Sequence, residues 1–415
     1  MKIIIKINDN TLVVLGLILI YCATCIPIVM LTPTIFRMGL LALSVVFLLA
    51  VLVKNGKVNL LLNIIILVAF FGFYFFYVYS HISKPRYYLS NMFLSVLILA
   101  YSYYLLTNLE LYDTTSLLKF ILILSSITAL TTIYGCFKYP YAVRELGRAL
   151  KDTMDGDKNQ FLALNIANWS QIYMLAFLIP CIVFLYKKSR KIYLLLIIIL
   201  LEAAVIISQI TFAILLSLLM AFLVYVDVPK TSKQFVNVIT VAAILFLLLF
   251  DTKGILKQII NIVSNLNMEF LTGKLSDLYN LLFLKNATGD ASGRFDLYGM
   301  SLNTFIKNPI IGVMFSNTRE SMFGFHSEFL DLLAFGGIIS VILELFYIFS
   351  YFKALQRYQG EDKKNLMVIF GGFLILFILN PVISNVALIL GAFLMPAVVA
   401  NYTIRDRSID NDVCI

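Results

Sequence analysis

Long apolar runs separated by short polar connections dominate this chain. A run of roughly 17 to 25 mostly apolar residues has the length of a membrane-crossing helix. Twelve such segments can be read, at about residues 11–30, 35–53, 58–80, 88–106, 117–136, 161–185, 192–207, 209–226, 235–251, 328–352, 365–379 and 382–401. The seventh and eighth come from one stretch, Ile192 to Val226, which exceeds one bilayer thickness and is divided at Ser208-Gln209. In hydrocarbon the backbone must satisfy its own polar groups, and helices of this length do so, whereas barrel strands would be half as long. The expected fold class is an all-α polytopic membrane protein with about 12 transmembrane helices and a long outer loop containing short amphipathic helices.

Composition narrows the class further. Of 415 residues, 61% are hydrophobic and 13% charged, and the mean hydropathy is +0.94. A soluble domain carries about 25% charged residues, so disorder, a disulfide scaffold and an ordinary cytosolic enzyme are excluded. The first apolar run lacks a small-residue cleavage site and more spans follow, so it is expected to be a span and not a signal peptide. Cys22, Cys25, Cys136 and Cys181 lie in or beside apolar runs, and Cys414 lies in the C-terminal tail. Cys22-Ala-Thr-Cys25 has redox-motif spacing, but inside a span it is read as structural. His81 and His326 stand far apart, which excludes a His-rich metal site.

The net charge of +9 acquires meaning only when it is sorted by side. With the N-terminus inside, 17 of the 32 Lys and Arg residues fall on the inner side, and the short outer connections hold only Arg37, Lys84 and Arg86. That asymmetry predicts cytoplasmic termini. The other 12 basic residues occupy two longer outer loops, at about 137–160 and 252–327. The organisation expected is therefore nine spans over 1–251, an extracytoplasmic loop over 252–327, three spans over 328–401 and a cytoplasmic tail over 402–415.

Both loops carry candidate chemistry. Arg144 and Arg148 are spaced i, i+4, so a helical turn projects both guanidinium groups from one face. In the second loop, Ile255, Leu256, Ile259, Ile260, Val263 and Leu266 recur at helical spacing, as in an amphipathic helix on a bilayer surface. Another helix is expected after Ser292 as N-cap, with Phe295, Tyr298, Leu302, Phe305 and Ile306 on one face, ending at Asn308-Pro-Ile-Ile-Gly312. Arg294, Arg319, His326 and Glu328 then form a candidate site for an anionic lipid-linked group. Arginine offers planar, bidentate donors to phosphate, and histidine can take a proton near neutral pH. Asp155-Gly-Asp157 is the nearest formal match to a metal-binding Asp-x-Asp pair, but it lies in the other loop, and no metal is expected. Trp169 is read as an interfacial anchor. Glu202 and Glu344 fall inside spans, where a carboxylate is costly unless it pairs with a polar neighbour such as Gln209.

Residues 293–345 read Gly-Arg-(four residues)-Gly, Asn-Pro-Ile-Ile-Gly, His-Ser-Glu-Phe-Leu and Phe-Gly-Gly in order. This series resembles the bacterial O-antigen ligase/polymerase superfamily, whose members join sugars carried on undecaprenyl diphosphate. The resemblance implies a GT-C-like membrane glycosyltransferase of the cytoplasmic (inner) membrane that needs neither metal nor cofactor. It implies a polymerase for O-antigen, capsule or exopolysaccharide repeat units, with lipid-linked donor and acceptor as partners. A chain-length regulator protein is a further partner it implies, and nucleic acid is none. By the same resemblance, Arg294 matches the loop arginine that helps bind diphosphate, and His326 the histidine that activates the acceptor hydroxyl. Two departures stand out. Ser208-Gln209 replaces the family's frequent Ser-Arg, and Ser327 follows the histidine where the family often has Asn. The alternatives are a ligase of the same superfamily and a flippase for the same lipid-linked oligosaccharide. A flippase calls for charges inside the bundle and two similar halves of spans; intramembrane charges are few here and no halves are evident. A periplasmically active reporter enzyme fused after Ile415 is expected to be silent and one inserted within 252–327 active; the reverse pattern would overturn the orientation.

Overall fold

In apolar surroundings, small and polar side chains have more reason to turn inward than large aliphatic ones. Helix Thr115–Lys138 follows that rule. Ser125, Thr128, Thr132 and Gly135 are buried, while Ile123, Ile127, Leu130, Tyr134 and Phe137 are exposed. The computed structural model describes residues 8–57, 60, 85–108, 111–148, 155–226, 252–266, 268–280, 290–313, 323–357, 363–382 and 385–412. The expected ninth span, and all but one residue of the third, lie outside the described residues.

The described residues form helices and no strand. In chain order these are α1 Asp9–Cys25, α2 Thr34–Lys54, α3 Pro85–Thr107, α4 Thr115–Lys138, α5 Ala142–Arg148 and α6 Asp155–Ala163. Then come α7 Trp169–Ser189, α8 Ile192–Ile207, α9 Thr211–Tyr225, α10 Thr252–Asn265, α11 Glu269–Tyr279 and α12 Asp290–Lys307. The chain closes with α13 Glu328–Arg357, α14 Lys363–Leu379, α15 Val386–Ile389, a π turn at Leu390–Leu394, and α16 Met395–Asp412. Among the described residues, five helical stretches are long and apolar enough to cross a membrane: Thr34–Lys54, Thr115–Lys138, Trp169–Ser189, Glu328–Gln356 and Val386–Thr403. The protein is thus all-α, with helices suited to a bilayer.

α7 is the axis of the bundle. Every residue from Gln171 to Leu185 is buried, against α8, α9, α15, α16 and the π turn. It begins eight residues later than the sequence predicts. Asn165 takes a left-handed φ of 55° and ends the preceding helix, and its carboxamide accepts from Ile28 N–H at 3.1 Å and donates to Thr131 Oγ1 at 3.1 Å. Asn168 and Gln171 then form a reciprocal capping box that starts α7. The long apolar stretch does divide where expected: α8 and α9 are joined by a buried turn in which Gln209 has φ 57°. Glu202 Oε1 accepts from Ser217 Oγ at 2.9 Å, which two helices can achieve only as a hairpin.

The expected span at 328–352 is two limbs. Gly336 and Gly337 leave helical geometry, the latter at φ 61°, ψ −152°. Ser340 Oγ donates to Leu332 O at 2.5 Å, eight residues back, a separation of about 12 Å in a straight helix. The chain therefore folds over at the glycine pair, giving a half-helix over 328–335 and a long limb from Ile338. The Asn308–Val313 turn is locked into this break. Ile338 N–H donates to Pro309 O at 3.0 Å, Ile339 N–H to Ile310 O at 3.4 Å, and Val313 N–H to Ala334 O at 3.1 Å.

α12 also differs from expectation. It starts at Asp290, which places Ser292 inside the first turn and an acidic residue at the positive end of the helix. Leu302 and Ile306 are exposed, while Ser301 and Thr304 are buried and Tyr298 and Phe305 half-buried. A methyl on Gly337 would lie 2.3 Å from Ile310 O at a backbone angle open only to glycine. Gly337→Ala is expected to destabilise the protein by about 1–3 kcal/mol from strain alone, with the clash adding to it. Gly371→Ala, in open space on a helix, should be neutral or stabilising by up to about 1 kcal/mol. Thermal unfolding in detergent compares the two.

Candidate functional site

The two basic loops meet at one end of the bundle, around the N-terminal turns of α7. From the first loop, α5 packs on α7 with Gly147 against Trp169. From the second, α12 brings Arg294 within electrostatic range of Tyr173. The loops also touch each other: Tyr141 OH donates to Glu269 Oε2 at 2.5 Å, and that bond to a carboxylate raises the phenol above its usual pKa. Arg144 lies half-buried on α5, and Arg148 closes the same helix one turn on. Arg319 lies outside the described residues. Trp169 is the first residue of α7 and stacks edge-on to Tyr173 at 4.5 Å.

The second centre is the turn from Phe323 to Ser327. His326 is half-exposed, and its Nδ1 lies 2.9 Å from Gly324 O. A carbonyl only accepts, so this contact places the proton on Nδ1 and leaves the Nε2 lone pair as the basic nitrogen. Ser327 caps the half-helix: its hydroxyl accepts from Leu330 N–H at 3.1 Å and donates to Ile378 O at 2.5 Å. The last turn of α14 fastens the same region, with Glu328 N–H donating to Asn380 O at 3.2 Å and Tyr298 OH to Leu379 O at 2.9 Å.

Glu328 turns inward. It is buried, and its Oε2 accepts from Val382 N–H at 2.9 Å. Three residues on, Asp331 is buried beneath the turn, where its Oδ1 accepts from Ser301 Oγ at 2.6 Å and Phe325 N–H at 3.3 Å. Sequence reasoning passes over Asp331 and Ser301. An acidic residue in the first turn of a helix is the available signal, but Glu328 offers the same one.

The remaining sequence candidates lie elsewhere. Glu202 is held by Ser217 and not by Gln209. Glu344 is 2% exposed, its carboxylate has no hydrogen-bond partner among the described residues, and Glu328 is the charge that acts on it. Cys22, Cys25, Cys136 and Cys181 are free thiols. Among the described residues no three His, Cys, Asp or Glu side chains converge as a metal site.

Ser327→Ala is expected to cost about 1 kcal/mol through loss of the helix cap, and Ser327→Asn, which can cap but overfills a buried site and loses the bond to Ile378 O, about 1–3 kcal/mol. Thermal unfolding of the purified variants checks both.

No family model matches the chain, and no curated protein is significantly similar to it.

Proposed function

We propose that the protein is a polysaccharide polymerase that transfers a glycan from undecaprenyl diphosphate onto the next lipid-linked repeat unit, at the outer face of the cytoplasmic membrane. The observation that carries this reading is that the two basic loops meet and that the second of them, through Ser301 on α12, underlies the turn of a histidine whose Nε2 is left basic. Arg294 stands two turns, about 10 Å, before Ser301 on α12, and Ser301 lies directly under the histidine turn. A diphosphate-linked sugar about that size can span the two.

In the reaction, the acceptor hydroxyl oxygen forms a bond to the anomeric carbon. The bond from that carbon to the diphosphate oxygen breaks, and its electron pair leaves with undecaprenyl diphosphate. The hydroxyl proton passes to His326 Nε2, and Arg294 faces the charge that grows on the leaving group. Fixed donors aimed at developing charge are the largest single contribution in many enzymes. Arg144 and Arg148, from the first loop, serve as additional diphosphate contacts. Glu328, the remaining candidate, is buried, and its Oε2 accepts from Val382 N–H. Ser327 stands where the family often has Asn, and its hydroxyl caps the half-helix there.

His326→Ala is expected to lower polymerisation by about 10²–10⁴-fold, the usual weight of a general base. Arg294→Ala should lower it by about 10²–10³-fold. Both should leave single lipid-linked units on the outer leaflet, resolved as a ladder reduced to its first rung. Accumulation of units on the inner leaflet would favour a transporter, and unchanged ladders would remove both residues from the mechanism.

A further inference from the structure

His326 is not placed by its own helix. It sits in a turn between Phe323 and the half-helix, and three of the turn's backbone N–H groups point back into the protein. Gly324 N–H donates to Ser301 Oγ at 2.8 Å, and the same hydroxyl donates to Asp331 Oδ1 at 2.6 Å. Phe325 N–H donates to Asp331 Oδ1 at 3.3 Å, and Ser327 N–H to Asp331 Oδ2 at 3.4 Å. One buried carboxylate, 3% exposed, thus gathers the residues on both sides of the histidine and, through Ser301, the residue whose carbonyl fixes its tautomer.

The turn needs such an anchor. Phe325 has φ 53°, a left-handed conformation that a bulky side chain adopts only when its surroundings hold it. The strained residue is the one immediately before His326, and its N–H is bound by Asp331. The carboxylate also lies within electrostatic range of the imidazole. A carboxylate that both orients a histidine and faces it with negative charge does two things for a general base. It fixes which nitrogen carries the lone pair, and it stabilises the cation formed when that nitrogen takes a proton.

We propose that Asp331 is the positioning residue of the His326 turn, holding Phe325 and Ser327 by their N–H groups and Gly324 through Ser301, so that the imidazole bonds Gly324 O through Nδ1 and presents Nε2. The catalytic consequence rests on the polymerase reading; the placement of the ring does not.

The test separates the two. With His81→Gln, His326 is the single histidine of the chain, since the sequence has 2. Nitrogen-15 histidine labelling of the full chain in nanodiscs then reads one imidazole. In the wild-type turn the neutral ring is expected in the Nδ1–H form, opposite to the form free histidine favours in water. Asp331→Ala and Ser301→Ala should convert it to a mixture of tautomers. Asp331→Asn, nearly isosteric, keeps an acceptor for Ser301 and Phe325 and should largely retain the Nδ1–H form. In the polymerisation assay Asp331→Asn is expected to lower kcat at least 10-fold with KM within threefold, and Asp331→Ala at least 100-fold. A loss confined to KM, or activity within twofold of wild type for Asp331→Ala, would overturn the catalytic half. An unchanged Nδ1–H tautomer in Asp331→Ala would overturn the placement itself. Should Asp331→Ala fail to fold, an unchanged tautomer in Ser301→Ala overturns the placement, and an unchanged kcat in Asp331→Asn overturns the catalytic half. If His326→Ala polymerises normally, the general-base role of His326 fails and the catalytic half with it, while the tautomer result still stands or falls alone.

Discussion

A helix broken inside an apolar environment exposes backbone N–H and C=O groups that no lipid can satisfy. At Gly336–Gly337 this protein meets that demand with another piece of itself. The Asn308–Val313 turn supplies carbonyls to Ile338 and Ile339 and receives the Ala334 carbonyl in return. Everything at the candidate site depends on that exchange. The break creates the half-helix, the half-helix carries Asp331 beneath the histidine turn, and the same turn of chain fixes the end of α12, which bears Arg294 and Ser301. The turn after α12 and the two limbs of α13 are therefore one structural unit. Each glycine in the contact, Gly312 and Gly337, has its neighbour's carbonyl where a side chain would be.

Much of the architecture can be read in the chain because its signals are long-range averages. Twenty apolar residues in a row admit few alternatives, and the division at Ser208-Gln209 follows from length alone. The turn there is as expected, and Asn165 and Gln209 both take left-handed angles at helix junctions. The direction of faces is what periodicity misses. It gathers Leu302 and Ile306 on one face with Tyr298 and Phe305, yet they are exposed, and Ser301 is buried. On α12 apolar periodicity does not tell inside from outside, and Ser301 and Thr304 mark its buried line. The second half of α4 shows the small and polar line directly, with Ser125, Thr128, Thr132 and Gly135 buried.

The site is legible only in part. Arg294 and His326 stand out as charge and basicity in an otherwise apolar chain, and the fold places both at the end where the basic loops meet. Asp331 is hidden by its neighbour: Glu328 and Asp331 look alike in sequence, one helical turn apart. Only the path of the backbone decides that Glu328 reaches back to Val382 while Asp331 reaches under the histidine. Nor does any local pattern reveal that Tyr141 and Glu269, 128 residues apart, join the two loops.

The hairpin of α8 and α9 has its own consequence. Its helices are 16 and 15 residues long and so rise about 24 and 22 Å, short of the roughly 30 Å of a hydrocarbon core. Seated in a bilayer, the pair is hydrophobically mismatched: its buried turn ends below the headgroups unless the lipid thins to meet it. α4, α7 and α14 flank the pair and can absorb the difference. A stretch shorter than the hydrocarbon is met by local thinning of the bilayer or by association with neighbouring helices, each at a modest cost.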